Sequence, residues 1–242
     1  MSDHVPPELT GLWRREVITT PKGYRDETTR VLWLQTRSWY ADIRVKADRP
    51  RREGATGFAD YTDAELIQMA AVQGFAGELS ATGNVCLWRR DLDYQPPNDS
   101  VDEATFAVKD GVMIEDGIHS EYQEIWRHQA PSTTPLVAYR LDGEAKGLLV
   151  IAGEYFLEIR DRATPLPRSE SLTAYVTEAL AAGKREAAIA ALSMRICHGK
   201  VTGASRVVTL SSYPWLEGAD LGAVDPAVWS LIDCDVPAPA LS

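Results

Sequence analysis

The chain has 242 residues, of which 45% are hydrophobic and 25% charged, and this is the composition of a globular protein rather than of a disordered tail or a collagen-like fibre. Thirty-five acidic residues against 25 basic ones give a formal net charge of −10, which argues against binding to nucleic acid or to an anionic membrane. No apolar run approaches the roughly 20 residues of a membrane span, and three widely spaced cysteines form no disulfide framework. We therefore expect a cytoplasmic protein with reduced thiols.

The first long strand is predicted over residues 31 to 46, where β-branched and aromatic side chains are frequent. Because alternate residues of a strand face the same side, Tyr40, Asp42 and Arg44 share one face and are expected near the mouth of a cavity. The alternative is an Asp42–Arg44 ion pair at the rim, with Tyr40 in the core. The candidate ligand-binding residues of this segment are Arg37, Trp39, Tyr40, Asp42 and Arg44.

The next segments indicate a short helix and then a hairpin. A capping box at Thr62 to Glu65 predicts a helix that ends by Gly74, and Thr82-Gly83 marks a turn. The stretch Tyr94 to Ser100, with two prolines, is predicted to be a linker.

A repeat along the chain predicts two related units. The order of an apolar run, an aromatic pair and an acid-Ile-Arg step occurs in residues 32–44 and again in residues 148–160, and Trp13 and Trp126 are predicted to open the two copies. Asp110-Gly111 and Asp142-Gly143 indicate hairpin turns, and two helices are predicted between Ser171 and Ser193. We predict a first β-barrel unit at 1–100 and a second at 101–242, the latter with a helical insertion and an irregular tail from Val236.

The segment Ile118 to His128 holds the densest group of titratable and aromatic residues. Tyr122, Glu124, Trp126 and His128 share one strand face, which offers stacking, a hydrogen-bond donor and an acid or base. The alternative is a solvated edge strand with its aromatic rings packed between the units. Our candidate catalytic residues are His119, Tyr122 and Glu124, and the further ligand-binding candidates are Trp126 and His128.

The Gly11-Leu12-Trp13 step resembles the Gly-x-Trp opening of lipocalins and other calycins, in which the tryptophan closes one barrel end. With the blocks Gln35 to Arg44 and Glu121 to Trp126, the chain resembles the lipocalin-like double β-barrel family that includes the fungal HRI-type casein-kinase-interacting proteins and bacterial homologues. The resemblance implies a mainly β fold with a few short helices, built as two tandem antiparallel calycin-like barrels. In the second half, Glu124 stands where the glycine of the motif would be.

The sequence carries no nucleophile elbow, P-loop, dinucleotide-binding glycine motif or zinc-protease motif, so we expect no cofactor and no metal. The first hypothesis is a soluble protein that binds a small, partly aromatic or phenolic ligand in a barrel cavity. The second is a cofactor-independent lyase, isomerase or dehydratase in the same cavity, with His119 or Glu124 as base, Tyr122 as acid, and Arg37 or Arg44 holding an anion. The third is a protein-interaction scaffold. The oligomeric state stays open, a homodimer included.

Overall fold

The computed structural model describes residues 5–131, 134–141 and 146–235 of the chain. As predicted, the described residues are mainly β, with three α-helices. The strands are β1 (Gly11–Thr19), β2 (Arg25–Asp26), β3 (Arg30–Gln35), β4 (Trp39–Val45), β5 (Phe75–Thr82), β6 (Val85–Asp93), β7 (Glu103–Lys109), β8 (Val112–Gly117), β9 (Gln123–Pro131), β10 (Leu136–Leu141), β11 (Gly147–Ala152), β12 (Tyr155–Arg160), β13 (Arg195–Thr202), β14 (Ser205–Ser211) and β15 (Ser230–Cys234). The helices are α1 (Asp63–Met69), α2 (Leu172–Ala181) and α3 (Arg185–Ala191).

Eight antiparallel strands close into a β-barrel in the first half of the chain. They follow the order β1, β3, β4, β5, β6, β7, β8 and β9, and β9 pairs back onto β1 from Gly11↔Pro131 to Thr19↔Gln123. The short β2 adds to the end of β1. Asp110 and Gly111, which join β7 to β8, both have positive φ, as the predicted tight hairpin turn requires.

The interior of the barrel is filled by the inward-facing residues of successive strands, and large aromatic rings dominate it. Trp13, Trp33, Trp88 and Trp126 are all buried there. Trp13 is fully buried, and its indole Nε1 donates a hydrogen bond of 2.8 Å to the Leu9 carbonyl just before β1. The indole therefore fixes the chain that leads into the barrel.

The second sheet has six strands in the order β14, β13, β12, β11, β10 and β15. No pairing joins β14 to β15 within the described residues, so this sheet is open. The described residues thus contain one closed barrel, which includes strands β7 to β9 from beyond residue 100, and the second predicted barrel is not seen among them.

The predicted repeat corresponds to a repeated order of elements. The hairpin β3–β4, helix α1 and hairpin β5–β6 are matched by β11–β12, α2 and α3, and β13–β14. Even a local irregularity recurs, because the pairing register shifts at Gly77 in β5 and at Gly199 in β13. The acid-Ile-Arg steps lie at matching places in β4 and β12.

Three sequence-based expectations are corrected by the strand order. Residues 31 to 46 form a hairpin rather than one strand, since residues 36 to 38 form the turn between β3 and β4. Trp126 does not open a second unit, because it lies in β9 of the first barrel. The predicted linker 94–100 connects β6 to β7 inside the barrel order. The division into domains at residue 100 stays a prediction, but the two sheets divide between β9 and β10.

Asp142-Gly143 and the tail from Val236 lie outside the described residues. No helix in the described part of the chain is both long and apolar enough to cross a membrane.

One apolar core joins the barrel to the second sheet. Leu34 of β3 and Ile43 of β4 point out of the barrel and pack with Val150 of β11 and Ile159 of β12. The helices cover this core with further apolar residues: Leu66, Met69, Leu172, Val176 and Ala188. The predicted cap of α1 is confirmed, because the Thr62 hydroxyl accepts from the Glu65 amide while the Glu65 carboxylate accepts from the Thr62 amide.

The glycines at the two register shifts, Gly77 and Gly199, generate a stability prediction. A Cβ atom placed on Gly77 or on Gly199 would lie 1.9 Å from a carbonyl oxygen of the paired strand. We expect Gly77→Ala and Gly199→Ala each to lower the free energy of unfolding by about 1–3 kcal/mol, as overpacking does. The control is Gly57→Ala, whose new Cβ has nothing within 4 Å. Urea unfolding measures all three, and equal stability of Gly57→Ala and Gly77→Ala would contradict the account.

Candidate functional site

A cavity of about 130 Å³ lies inside the barrel. Its aromatic lining consists of Trp33, Tyr40, Phe75, Trp88, Tyr122 and Trp126. Its charged lining consists of Asp42, Arg44, Arg90, Asp102, Glu115 and Glu124. These residues come from β3 to β9, apart from Asp102 and Tyr122, which immediately precede β7 and β9.

Two glutamates face each other inside the barrel. Glu115 of β8 and Glu124 of β9 are directly paired across the strands, and they are only 5% and 2% exposed. Arg15 of β1 donates from Nη1 to Glu124 Oε1 over 2.6 Å, and Arg44 Nη1 lies 3.7 Å from the same oxygen. Glu115 instead accepts a hydrogen bond of 2.9 Å from the Tyr122 hydroxyl. Glu124 is therefore paired with guanidinium groups, whereas Glu115 accepts its hydrogen bond from a neutral hydroxyl.

Glu115 is a weaker acid than an ordinary glutamate. Burial, and then the nearby charge of Glu124, raise the pKa of Glu115 to about 8. Burial also raises the pKa of Tyr122, and the neighbouring Glu115 raises it further, so the hydroxyl keeps its proton. At neutral pH the cavity therefore contains a neutral carboxylic acid beside a phenol.

Asp42 and Arg44 form the ion pair that we considered as an alternative for these residues. Arg44 Nε donates to Asp42 Oδ2 over 2.7 Å, and the Phe75 amide donates to Asp42 Oδ1 over 2.9 Å. Burial raises the pKa of Asp42 in spite of the opposing charge of Arg44. The Arg44 guanidinium lies 4.7 Å from the centre of the Phe75 ring, so the pair is held against an aromatic wall.

Arg90 and Asp102 form a third charged pair where β6 separates from β7. The two strands pair only from Val85↔Thr105 to Leu87↔Glu103, and beyond this Arg90 Nη2 donates to Asp102 Oδ2 over 2.6 Å. Both residues line the cavity and also a neighbouring surface groove of about 830 Å³. The pair therefore forms part of the partition between the cavity and the groove.

Trp126 has an unused hydrogen-bond donor. The residue lines the cavity and is 2% exposed, and its indole Nε1–H is buried without a hydrogen-bond partner within the described residues. A buried donor without a partner costs free energy. An acceptor atom on a bound molecule would satisfy it.

The structure brings six of the ten candidate residues together in this cavity, and four of them lie elsewhere. The six are Tyr40, Asp42, Arg44, Tyr122, Glu124 and Trp126. Of the others, His119 lies at the surface and contacts Glu103 Oε2 over 2.8 Å. His128 stacks on Trp13 with ring centres 4.3 Å apart, and its Nε2 lies 3.0 Å from the Thr10 carbonyl oxygen.

Arg37 and Trp39 lie where the barrel meets the second sheet. Arg37 Nη2 donates to Asp233 Oδ1 over 2.7 Å and to the Cys234 carbonyl, which ties the β3–β4 turn to β15. Trp39 lines a different depression, between the barrel and β11. Neither residue lines the cavity, and the assignment of the ten residues to a function stays a prediction.

Sequence analysis missed Glu115, Arg90 and Asp102 as site residues. Glu115 follows Met113 on the inward face of β8, so alternation along this strand could have indicated it. Arg90 follows Trp88 on β6 in the same way, so alternation could also have indicated this residue. No such signal pointed to Asp102, because its meeting with Arg90 depends on how β6 and β7 separate.

Within the described ranges, no group of three or more His, Cys, Asp and Glu side chains is arranged to hold a metal ion. The side chains that line the cavity can supply stacking, hydrogen bonding and proton transfer.

Comparison with known proteins gives a family and a fold. A family model described as "Protein HRI1" matches residues 11–201. The crystal structure of the uncharacterized protein YLR301w from Saccharomyces cerevisiae resembles this chain with a TM-score of 0.58 and 12% sequence identity, over 93% of this chain and 98% of the yeast chain. At that identity the likeness concerns the fold alone. No curated protein matches the chain.

The raised pKa of Glu115 predicts a pH dependence of stability. The folded state holds this proton more tightly than the unfolded chain, whose glutamate titrates near 4.5, so the free energy of unfolding should fall as pH rises from about 4.5 to about 8. Glu115→Gln cannot ionise and should remove this loss. We expect the variant to be similar to wild type at pH 5 and more stable by about 1–3 kcal/mol at pH 9.

Urea unfolding at pH 5, 7 and 9 measures this difference. Glu121→Gln, at an exposed position, is the matched control and should follow the wild-type curve. If Glu115→Gln loses stability with pH as steeply as the wild type does, Glu115 is not the group responsible.

Proposed function

This chain belongs to the HRI1 protein family, and we propose that its barrel binds a small neutral molecule with one ring and a hydrogen-bonding group, of the phenolic type. The observation that carries the proposal is the cavity itself, in which six aromatic side chains surround the unpartnered indole N–H of Trp126 and the neutral acid Glu115. Aromatic rings favour a flat ligand, and the two polar groups would orient it.

The volume of the cavity limits the size of the ligand. About 130 Å³ is close to the cavity of about 150 Å³ that holds benzene in an engineered protein core. A single ring with one small substituent fits this space. A fused-ring ligand or a fatty acid does not, unless the partition formed by Arg90 and Asp102 opens.

The charges around the cavity favour a neutral ligand. Each carboxylate other than the acid Glu115 has a guanidinium partner: Asp42 has Arg44, Asp102 has Arg90, and Glu124 has Arg15. A charged ligand would have to displace one of these partners and leave a buried charge uncompensated. A phenol carries no charge and can both donate and accept a hydrogen bond.

Calorimetric titration with phenol tests the binding proposal. We expect phenol to bind the wild type, and benzoate to bind much more weakly because it is charged. Trp126→Phe keeps a ring but removes the indole N–H, and it should weaken phenol binding by about tenfold. His119→Gln, outside the cavity, is the control and should bind as the wild type does. Absence of phenol binding, or unchanged binding by Trp126→Phe, would overturn the proposal.

One observation favours a second function, acid-base catalysis in the same cavity. Glu115 keeps a proton at neutral pH, while its cross-strand neighbour Glu124 is held in an ion pair with Arg15. Two carboxyl groups in such different surroundings suit an acid and a base. Glu124 would take a proton from one atom of the substrate and Glu115 would return one to another, as in an isomerase, with Tyr122 orienting Glu115.

Proton transfer can be tested without knowledge of the natural substrate. The protein is incubated in D2O with cyclohexenone, a ring compound of suitable size, and mass spectrometry follows deuterium uptake. We expect faster uptake with the wild type than in buffer and a rate close to that of buffer with Glu124→Gln. Phenol binding without any exchange would support the binding function and exclude catalysis on this compound class.

A further inference from the structure

The second sheet contains a cluster of arginines around one buried carboxylate. Glu158 of β12 is fully buried and accepts from three guanidinium groups. Arg160 Nε donates to its Oε1 over 2.8 Å, Arg206 Nη1 donates to its Oε2 over 2.6 Å, and Arg195 Nη2 donates to Oε1. Burial opposes ionisation of Glu158, but Arg195, Arg160 and Arg206 together keep its pKa below the ordinary value.

This cluster matches the position of the Asp42–Arg44 pair in the barrel, but it carries more positive than negative charge. Glu158 and Arg160 lie two residues apart on β12, the second strand of the β11–β12 hairpin. Asp42 and Arg44 lie two residues apart on β4, the second strand of the β3–β4 hairpin. With Glu115 protonated, the three other carboxylates that line the barrel cavity each have one guanidinium partner, so their charges balance. Around Glu158, three guanidinium groups meet one carboxylate, so two positive charges are left over.

The surplus charge is concentrated on Arg160 and Arg195. The other nitrogens of Arg206 donate to the carbonyls of the loop that follows β14, among them that of Gly222. Arg160 and Arg195, by contrast, are directly paired across β12 and β13, where like charges repel. Their side chains are 34% and 27% exposed, so a small solute can reach them.

The two guanidinium groups also have unused donors. Within the described residues, Glu158 is the only hydrogen-bond acceptor of the Arg160 and Arg195 guanidinium groups. The buried side-chain Nε–H of Arg195 has no hydrogen-bond partner there. Arg160 lies over the Trp229 ring, 5.0 Å from its centre, which restricts the orientation of the guanidinium plane. Glu158 and Trp229 therefore hold two adjacent forks of N–H donors in place.

We propose that Arg160 and Arg195 form a binding site for a small oxyanion, a phosphate or a carboxylate group. Two guanidinium groups that contact the same Glu158 oxygen are close enough together to bind one such group jointly. Glu158 orients the arginines and offsets only one of the three guanidinium charges. The site lies on the second sheet, outside the barrel cavity, and does not depend on the function proposed for the barrel.

Calorimetric titration with inorganic phosphate and with malonate tests the site and distinguishes the two oxyanion sources. Ionic strength is held constant with chloride, which serves as the non-specific anion. We expect at least one of the two to bind the full-length protein, and Arg195→Gln to weaken that binding by about tenfold or more. The matched control is Arg127→Gln, which removes an exposed arginine paired with Glu16 and should leave the binding unchanged.

A second variant, Glu158→Gln, is expected to raise the affinity for the oxyanion instead of lowering it. Glu158→Gln removes the competing negative charge while its amide oxygen can still accept from the arginines, so oxyanion binding should become several-fold tighter. If Arg195→Gln or Glu158→Gln fails to fold by circular dichroism, the 15N guanidinium signals of Arg160 and Arg195 in the wild type replace it and should shift on addition of the anion. Binding no stronger than that of chloride, unchanged binding by folded Arg195→Gln, or unshifted guanidinium signals would overturn the proposal.

Discussion

Arg15 and Glu124 are 109 positions apart in the chain, yet their side chains meet inside the barrel at 2.6 Å. They can meet only because β9 pairs with β1 and completes the ring of strands. Removal of Arg15 would leave the buried Glu124 with the more distant Arg44, 3.7 Å away, and removal of Glu124 would leave the buried Arg15 with Asp26 at 3.5 Å. Either change would weaken the compensation of a buried charge. Closure of the barrel and the charge distribution in its cavity therefore depend on each other. The Arg15–Glu124 ion pair forms only in the closed barrel, and the closed barrel must accommodate this buried pair.

Glu115 shows why the cavity is unusual for a barrel of this size. An ordinary small barrel fills its interior with apolar side chains, whereas this one places two glutamates side by side and gives the available guanidinium groups to only one of them. The other keeps a proton and a phenol as its neighbour. The result is an interior that is polar in its groups and close to neutral in its charge, a combination that suits a ligand with an aromatic ring and a hydroxyl group.

Local patterns in the sequence predicted the parts of the fold that depend on neighbouring residues. Alternation placed Tyr40, Asp42 and Arg44 on one face, and Tyr122, Glu124, Trp126 and His128 on another. The structure brings all of these residues except His128 into one cavity. Arg37 was a candidate of the same segment, but it lies in the turn at residues 36 to 38 and not in a continuous strand. Trp126 was misplaced for a different reason: periodicity cannot show that β9 returns to a strand more than a hundred residues earlier. The roles of Arg90 and Asp102 depend on the same kind of long-range arrangement.

The separation of β6 from β7 has a consequence for how a molecule reaches the interior. Within residues 5–131, no backbone ladder joins these strands beyond Trp88, and the half-exposed Arg90–Asp102 pair spans the gap instead. Arg90 also donates to Asp93 Oδ2 over 3.0 Å and lies 3.7 Å from the centre of the Phe75 ring, so side-chain contacts rather than strand pairing close this gap. A molecule moving from the groove would thus meet a side-chain barrier rather than a wall of hydrogen-bonded strands. In the complex that we propose, the rate of ligand release would depend on side-chain rotation at the gap between β6 and β7. The barrel itself would stay folded while the ligand leaves.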